Sequence, residues 1–134
     1  VKKQGVAQLK KKADKYFSQA VRLNHADNNG YATCLTCGVK KPWKELQAGH
    51  FVSRAVNSIR FKPENVNPQC YSCNVMRYGE RYEYAKQLDL LYGVGTADKL
   101  HSRRFESHKF TIEELEQIIA DSKEEVKLAE RRIL

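Results

Sequence analysis

The sequence predicts an α+β domain in which a short strand region is gathered around a structural metal and flanked by helices on both sides. Three observations carry this reading. All four cysteines stand in two Cys-x-x-Cys pairs, Cys34 with Cys37 and Cys70 with Cys73. Apolar residues recur at three- and four-residue steps near both ends of the chain, over residues 6–24 and after Thr111. Between the two cysteine pairs the chain has little helical periodicity and carries Pro42, Pro63 and Pro68. A chain of 134 residues has the size of one domain, 1–134, and its modest core would gain materially from a bound metal.

Each element follows from local chemistry. Residues 6–24 read as an amphipathic helix, because Val6, Leu9, Ala13, Phe17, Ala20 and Val21 form one stripe that Tyr16 and Leu23 broaden. Asp27–Asn28–Asn29–Gly30 is a turn cluster that ends it. Residues 31–52 read as two short strands joined through the first cysteine pair, with Cys37–Gly38 as a knuckle turn and Pro42–Trp43 as a break. Leu46 to Val52 resumes an extended run and carries His50. Residues 53–69 read as loop, since Pro63 and Pro68 discourage helix around Asn65 and Asn67. After Cys73 the pattern turns helical, with Met76, Tyr84, Leu88 and Leu91 on one face, Gly79 as a weak interruption and Gly93–Val94–Gly95 as the close. Thr96 to Arg104 reads as a short helix. Thr111 to Glu114 is a capping box that opens the last helix, which runs through Leu115, Ile118, Ile119, Ser122, Val126 and Ala129. That last apolar stripe needs a partner, either the first helix or a second copy of the chain.

Charge points to a polyanionic partner. The 24 basic and 16 acidic side chains give a formal net charge of +8. From Thr111 onward 7 acidic residues face 4 basic ones, a balance of −3 that leaves +11 on the rest of the chain. The first 24 residues hold Lys2, Lys3, Lys10, Lys11, Lys12, Lys15 and Arg22 against Asp14 alone. Nucleic-acid phosphates suit such a field through counterion release; a solvated helix face is the plainer alternative. The apolar stretches are too short to cross a bilayer, so no membrane partner is expected. No apolar signal segment is present, and Cys-x-x-Cys spacing suits thiolates on a metal better than disulfides, which predicts an intracellular, cytoplasmic location. The sequence opens on Val1 and not Met, which leaves residues before it an open matter.

Cys34, Cys37, Cys70 and Cys73 are the predicted ligands of a structural Zn²⁺, which accepts four thiolates in a tetrahedron. Such a site is closed to water and substrate, so it would hold the fold and do no chemistry. A zinc staple leaves His50, Asn65 and Asn74 unexplained, although they stand between and beside the cysteine pairs. Phosphodiester hydrolysis needs a base that titrates near working pH, which a histidine provides, and a hard divalent ion, Mg²⁺ or Mn²⁺, to which an asparagine can give a carbonyl oxygen. Taken alone, His50 reads more simply as a strand histidine satisfying a local hydrogen bond.

The order Cys-x-x-Cys, Gly49–His50, Asn65, Cys-x-x-Cys–Asn74 resembles the HNH nuclease family in its zinc-stapled version. The resemblance implies a ββα-metal, treble-clef-like core over residues 31–92, with a basic helix over 1–26 before it and a helical extension over 96–134 after it. It implies that His50 is the general base, that Asn65 holds the loop carrying it, and that Asn74, beside His50, meets the catalytic ion. Many relatives place an aspartate directly before the base, where this sequence has Gly49. Waters and substrate phosphates would then fill the ion's shell, or Glu80, Glu83 or His108 would supply a further ligand.

A closer resemblance rests on Gln47–Ala48–Gly49–His50–Phe51, Ile59–Arg60–Phe61, Asn65, Gln69–Cys70, Cys73–Asn74 and the run His108 to Glu114. These residues resemble the phage recombination family NinG, also called Rap. The likeness runs from the first helix to the last and implies an endonuclease on branched DNA, such as D-loops and four-way junctions. It also makes Arg60 the candidate clamp for the scissile phosphate, since guanidinium binds phosphate bidentately. His108 beside the last helix N-terminus would touch phosphate there, and Arg103, Arg104 and Lys109 would steer junction arms. A homodimer, pairing through Leu115, Ile118, Ile119, Val126 and Leu134, is the simplest source of two clefts for a two-fold junction. The alternative functions are a zinc-stabilised DNA-binding protein without catalysis, which Gly49 keeps alive, and a protein-interaction adaptor.

Overall fold

The structure, a computed structural model, describes residues 4–134, so Lys2 and Lys3 of the basic cluster lie outside the described residues. Helix α1 spans Val6–Asn24 and helix α4 spans Ile112–Arg132. Leu9 and Ala13 of α1 pack against Leu115 and Ile119 of α4, and Phe110 seals the end of this layer. Each large side chain buried there contributes about 1.5–3 kcal/mol. The stripe on α4 therefore finds its partner within the same chain. Leu115 and Ile119, the centre of the patch expected to join two copies, are covered by α1, and Leu134 stands exposed. Thr111 Oγ1 accepts from the Glu114 N–H at 3.1 Å and caps α4. The Glu114 carboxylate does not return to the cap; it accepts from His108 Nε2 at 2.7 Å. At the far end, Arg132 donates to the carbonyls of Leu23 at 2.9 Å and Ala26 at 2.8 Å, so α4 caps the C-terminus of α1.

Four short strands follow α1. β1 (Tyr31–Thr33) and β2 (Lys40–Pro42) form an antiparallel hairpin whose tip is the first cysteine pair. β3 (Gln47–His50) pairs antiparallel with β4 (Val66–Gln69), with Gln47 opposite Gln69 and His50 opposite Val66. β4 replaces the end of the loop expected over residues 53–69. The segment Val66–Asn67–Pro68–Gln69 is buried at every position, so it shows no alternation that a pattern could reveal. Most of its polar groups find partners inside; Gln69 Oε1 alone among its side-chain atoms is buried without one. Asn67 Nδ2 donates to the Tyr84 hydroxyl and the Glu64 carbonyl, each at 3.2 Å. Gln69 Nε2 donates to the Gly79 carbonyl at 3.0 Å, and the Pro68 carbonyl accepts from the Leu35 N–H at 2.9 Å. Hydrogen bonding is what makes this burial tolerable.

The helix expected straight after Cys73 is broken in two. A π-helical turn occupies Ser72–Met76, and α2 starts only at Arg81 and ends at Tyr92. Between them Tyr78, Gly79 and Glu80 all take left-handed backbone, with φ of 56°, 87° and 50°. Two of the three pay a steric penalty that glycine escapes. The break leaves Met76 exposed instead of on the face of Tyr84 and Leu88. Gly93 at φ 113° ends α2, and α3 follows over Thr96–Ser102. Tyr84 and Leu88 of α2 join Ala97 and Leu100 of α3 under Val52 and Ile59. On the other side, Phe17 and Val21 of α1 cover Val66. The result is an α+β fold with a ββα-metal-like core, β3–β4–α2, flanked by helices. Among the described residues no helix is long and apolar enough to cross a membrane.

Candidate metal centre and cleft

The cysteines reach one another from two elements. Cys34 and Cys37 sit at the β1–β2 tip, while Cys70 and Cys73 bracket the step from β4 into the π-helical turn. Their four sulfurs lie within 4.8 Å of one another, and Cys37 Sγ is 3.7 Å from Cys70 Sγ. Metal–sulfur bonds of about 2.3 Å in a tetrahedron give sulfur–sulfur edges of roughly 3.8 Å, so this donor set fits a structural Zn²⁺. No disulfide links them. As thiols they ionise unequally. Burial opposes the Cys34 thiolate, yet the Thr36 hydroxyl and nearby N–H groups outweigh it and draw Cys34 down to about 6. Burial and the neighbouring sulfurs push Cys73 up to about 12. A divalent cation is the group that would draw off all four protons.

A separate cleft of about 560 Å³ opens beside β3, and no cysteine lines it. His50 and Asn74 both line it, together with Gln47, Arg22, Arg54 and Arg81. His50 Nε2 lies 3.0 Å from the Arg60 carbonyl. A carbonyl only accepts, so Nε2 carries the proton and Nδ1 keeps its lone pair. Asn65 is fully buried and ties the chain that follows His50. Its Oδ1 accepts from the Val52 N–H at 2.8 Å, and its Nδ2 donates to the carbonyls of Val52 at 3.0 Å and Ile59 at 3.3 Å. Asn74 Nδ2 donates to Gln47 Oε1 at 2.7 Å, which brings two amide side chains together in the cleft.

The cationic wall escaped the sequence reading. Arg81, first residue of α2, donates to the carbonyl of His50 at 2.8 Å and to that of Phe51. Arg22 donates to the Leu46 carbonyl at 3.3 Å and stacks 5.1 Å over the Trp43 ring. Arg54 comes from the loop four residues beyond His50. The only signal for these three was the basic excess itself, because their convergence depends on where α1 and α2 lie. The lysines of α1 are elsewhere: Lys10 is over Phe110 and Lys15 is over Tyr16.

No carboxylate lines the cleft. A side chain at Gly49 would require the buried Gln69 to move, because a Cβ there would lie 2.7 Å from Gln69 Cδ. Glu83 is engaged by Gln87 at 3.0 Å on the surface of α2, and Glu80 is not among the lining residues. His108 is likewise outside the cleft, held by Glu114 and edge-on to Phe110.

Arg60 does not stand where the resemblance implies. Its guanidinium does not line the cleft; it forks onto Asp14 of α1, Nε to Oδ1 at 3.0 Å and Nη2 to Oδ2, and donates to the Arg54 carbonyl at 2.7 Å. Asp14 is the one acidic residue in the first 24, and α1 lies across this loop. The two side chains are only 12% and 19% exposed. Removing Asp14 leaves a largely buried cation without its partner, so Asp14→Ala is expected to cost about 2 kcal/mol or more. Urea unfolding measures this, and a loss near zero would mean that solvent already screens the pair.

Burial dominates the electrostatics of His50. It pulls the imidazole down to about 4, with Arg54 adding to the effect and the Arg60 carbonyl opposing it. The ring is therefore neutral, and able to accept a proton, well below neutral pH. An unfolded chain protonates the same ring near 6.5, so His50 contributes stability that is complete above 6.5 and is lost as pH falls towards 4. An NMR titration of the imidazole is expected to show its midpoint near 4; a midpoint at the free-histidine value would mean a solvated ring.

The family described as Bacteriophage Lambda NinG protein matches residues 1–132. The chain belongs to the NinG family. It is 28% identical over 114 residues to Protein ninG of Escherichia phage lambda, covering 84% of this chain and 55% of that protein. It is 27% identical over 114 residues to Protein ninG of Salmonella phage P22, with the same coverage, and 27% identical to Protein ninG of Escherichia phage 933W, of which it covers 56%. The chain thus spans about half the length of these NinG relatives. No solved structure matches the chain.

Proposed function

We propose that this chain is a divalent-metal-dependent DNA endonuclease of the HNH type that acts on branched recombination intermediates such as D-loops and four-way junctions. The observation that carries the reading is the placement of His50: Nε2 fixed on a backbone carbonyl, in an arginine-lined cleft shared with Asn74. In this reading Nδ1 takes the proton of the attacking water. Asn65 keeps the loop after His50 in place, and Arg54, with Arg22 and Arg81, receives the phosphate. Asn74 and Gln47 would hold Mg²⁺ or Mn²⁺ through amide oxygens, leaving most of the shell to water and substrate phosphate. That ion would supply neutralisation of the phosphate and of the departing 3′ oxygen.

Family membership and the +11 balance before Thr111 support the reading of DNA as the partner, and with it a location inside the host cell. Two-fold cutting of a four-way junction would take two copies, and they would have to pair through a surface other than the α4 face that α1 covers. One observation favours a second reading, DNA binding without cleavage: the cleft offers a hard cation no carboxylate. Incubating the protein with matched duplex, single strand, D-loop and four-way junction in Mg²⁺ or Mn²⁺ separates the two. Cleavage of the branched forms over duplex is expected. Equal cutting of duplex would remove the branch selectivity, and binding without cutting in either ion would establish the second reading.

A further inference from the structure

A second groove, of about 590 Å³, runs on from the arginine-lined cleft, because Ser53 and Arg81 line both. Its character is different. Phe51, Tyr82 and Phe105 face it, with Arg104 and His101 beside them. Tyr82 is 80% exposed and Phe105 is 84% exposed, so two large rings stand largely open to solvent. Each carries a cation over it: Arg104 lies 4.4 Å from the Phe105 centroid, and Lys86 lies 5.4 Å from that of Tyr82. No acidic side chain lines the groove.

From this juxtaposition we infer that the groove binds unpaired bases of a single DNA strand, stacking them on Tyr82 and Phe105 while Arg81 and Arg104 meet the flanking phosphates. The inference rests on the nucleic-acid reading of the cleft and deepens it. A nucleobase is a flat ring joined to a phosphate, which matches exposed aromatic faces set among cations. A base inside a duplex has both faces occupied by its neighbours and cannot enter. A base at a branch point or strand end can. The groove would therefore favour DNA with unpaired nucleotides, and its continuity with the cleft would set the phosphate next to such a nucleotide near His50. An apolar peptide would fill the rings but leave the cations unmatched.

The test is the double variant Tyr82→Ala/Phe105→Ala, with Tyr82→Phe as the conservative control. Fluorescence anisotropy without added Mg²⁺ or Mn²⁺ compares a labelled oligothymidylate with a blunt duplex of the same length. Loss of two stacking rings is expected to weaken single-strand binding by about tenfold or more, with duplex binding changed less than about twofold. The salt dependence for single strand should stay the same, because no phosphate contact is removed. A 2-aminopurine base in the strand is expected to be quenched on binding the parent protein and Tyr82→Phe, and not on binding the double variant. Equal weakening for both DNA forms, or no weakening for either, would overturn the inference. Because this readout needs no cleavage, it is independent of the nuclease reading. An active nuclease whose double variant keeps single-strand affinity loses the groove alone. A protein that never cuts but shows the selective loss keeps it.

Discussion

Cys37→Ser is expected to release the metal and unfold residues 31–92, not merely to weaken a reaction. The hairpin β1–β2 has only three residue pairs, and an isolated hairpin of that length is marginal at best. The core beneath it is small: Ala26, Ala32, Cys34, Leu46, Cys70 and Cys73, with Trp43 and Ile133 at its edge. Two of the elements that meet there, the hairpin tip and the π-helical turn, are joined chiefly through the four sulfurs. Structural zinc sites contribute about 10–16 kcal/mol of apparent binding free energy, as much as the whole stability of an ordinary domain. Serine gives no thiolate, so most of that term is lost. The α1–α4 pair rests on its own apolar cluster and should keep much of its helical signal. Elemental analysis and circular dichroism check both halves of the expectation. One Zn²⁺ per chain is expected in the parent protein, and a parent protein that folds without zinc or iron would sink the assignment.

The parts of this molecule legible in sequence were those written in local or periodic chemistry. The stripe of Leu9, Ala13 and Phe17 announced α1, Thr111 announced the start of α4, and paired cysteines announced the metal centre. β4 was illegible because its burial is polar: Asn67 and Gln69 are inside only because Tyr84, Gly79 and Thr36 receive their hydrogen bonds. The break at Tyr78–Gly79–Glu80 was equally hidden, since two of its three left-handed residues are not glycine. Arg60 misled for a different reason. Its residue type suits a phosphate, but Asp14, 46 positions earlier, takes the fork first. Pairings at that separation exist only once α1 has packed. The same packing gathers Arg22, Arg54 and Arg81, so the part of the cleft most suited to phosphate is the part the sequence could not order.

His50→Ala is expected to lower DNA cleavage by about 10²-fold or more while zinc content, folding and DNA affinity stay close to those of the parent protein. The ring contributes little that the fold needs: one contact from Nε2 to the Arg60 carbonyl, at a half-buried position. The loop after it is held by Asn65 through backbone groups of Val52 and Ile59, none of which involves the imidazole. The strand end is held by Arg81 through the His50 carbonyl, which alanine retains. Phosphate affinity should persist because Arg22, Arg54 and Arg81, which line the cleft with His50, are left untouched. What alanine removes is the unprotonated nitrogen of the one imidazole that lines the cleft among the described residues. Binding and single-turnover cleavage on one branched substrate separate the two effects: a base acts on the chemical step, so kcat should fall while Kd holds. Adding free imidazole should restore part of the lost rate if the missing group is a proton acceptor, and a merely structural defect would not respond. Undiminished cleavage in this variant would move the base to another residue, and a parallel loss of DNA affinity would make His50 a binding residue.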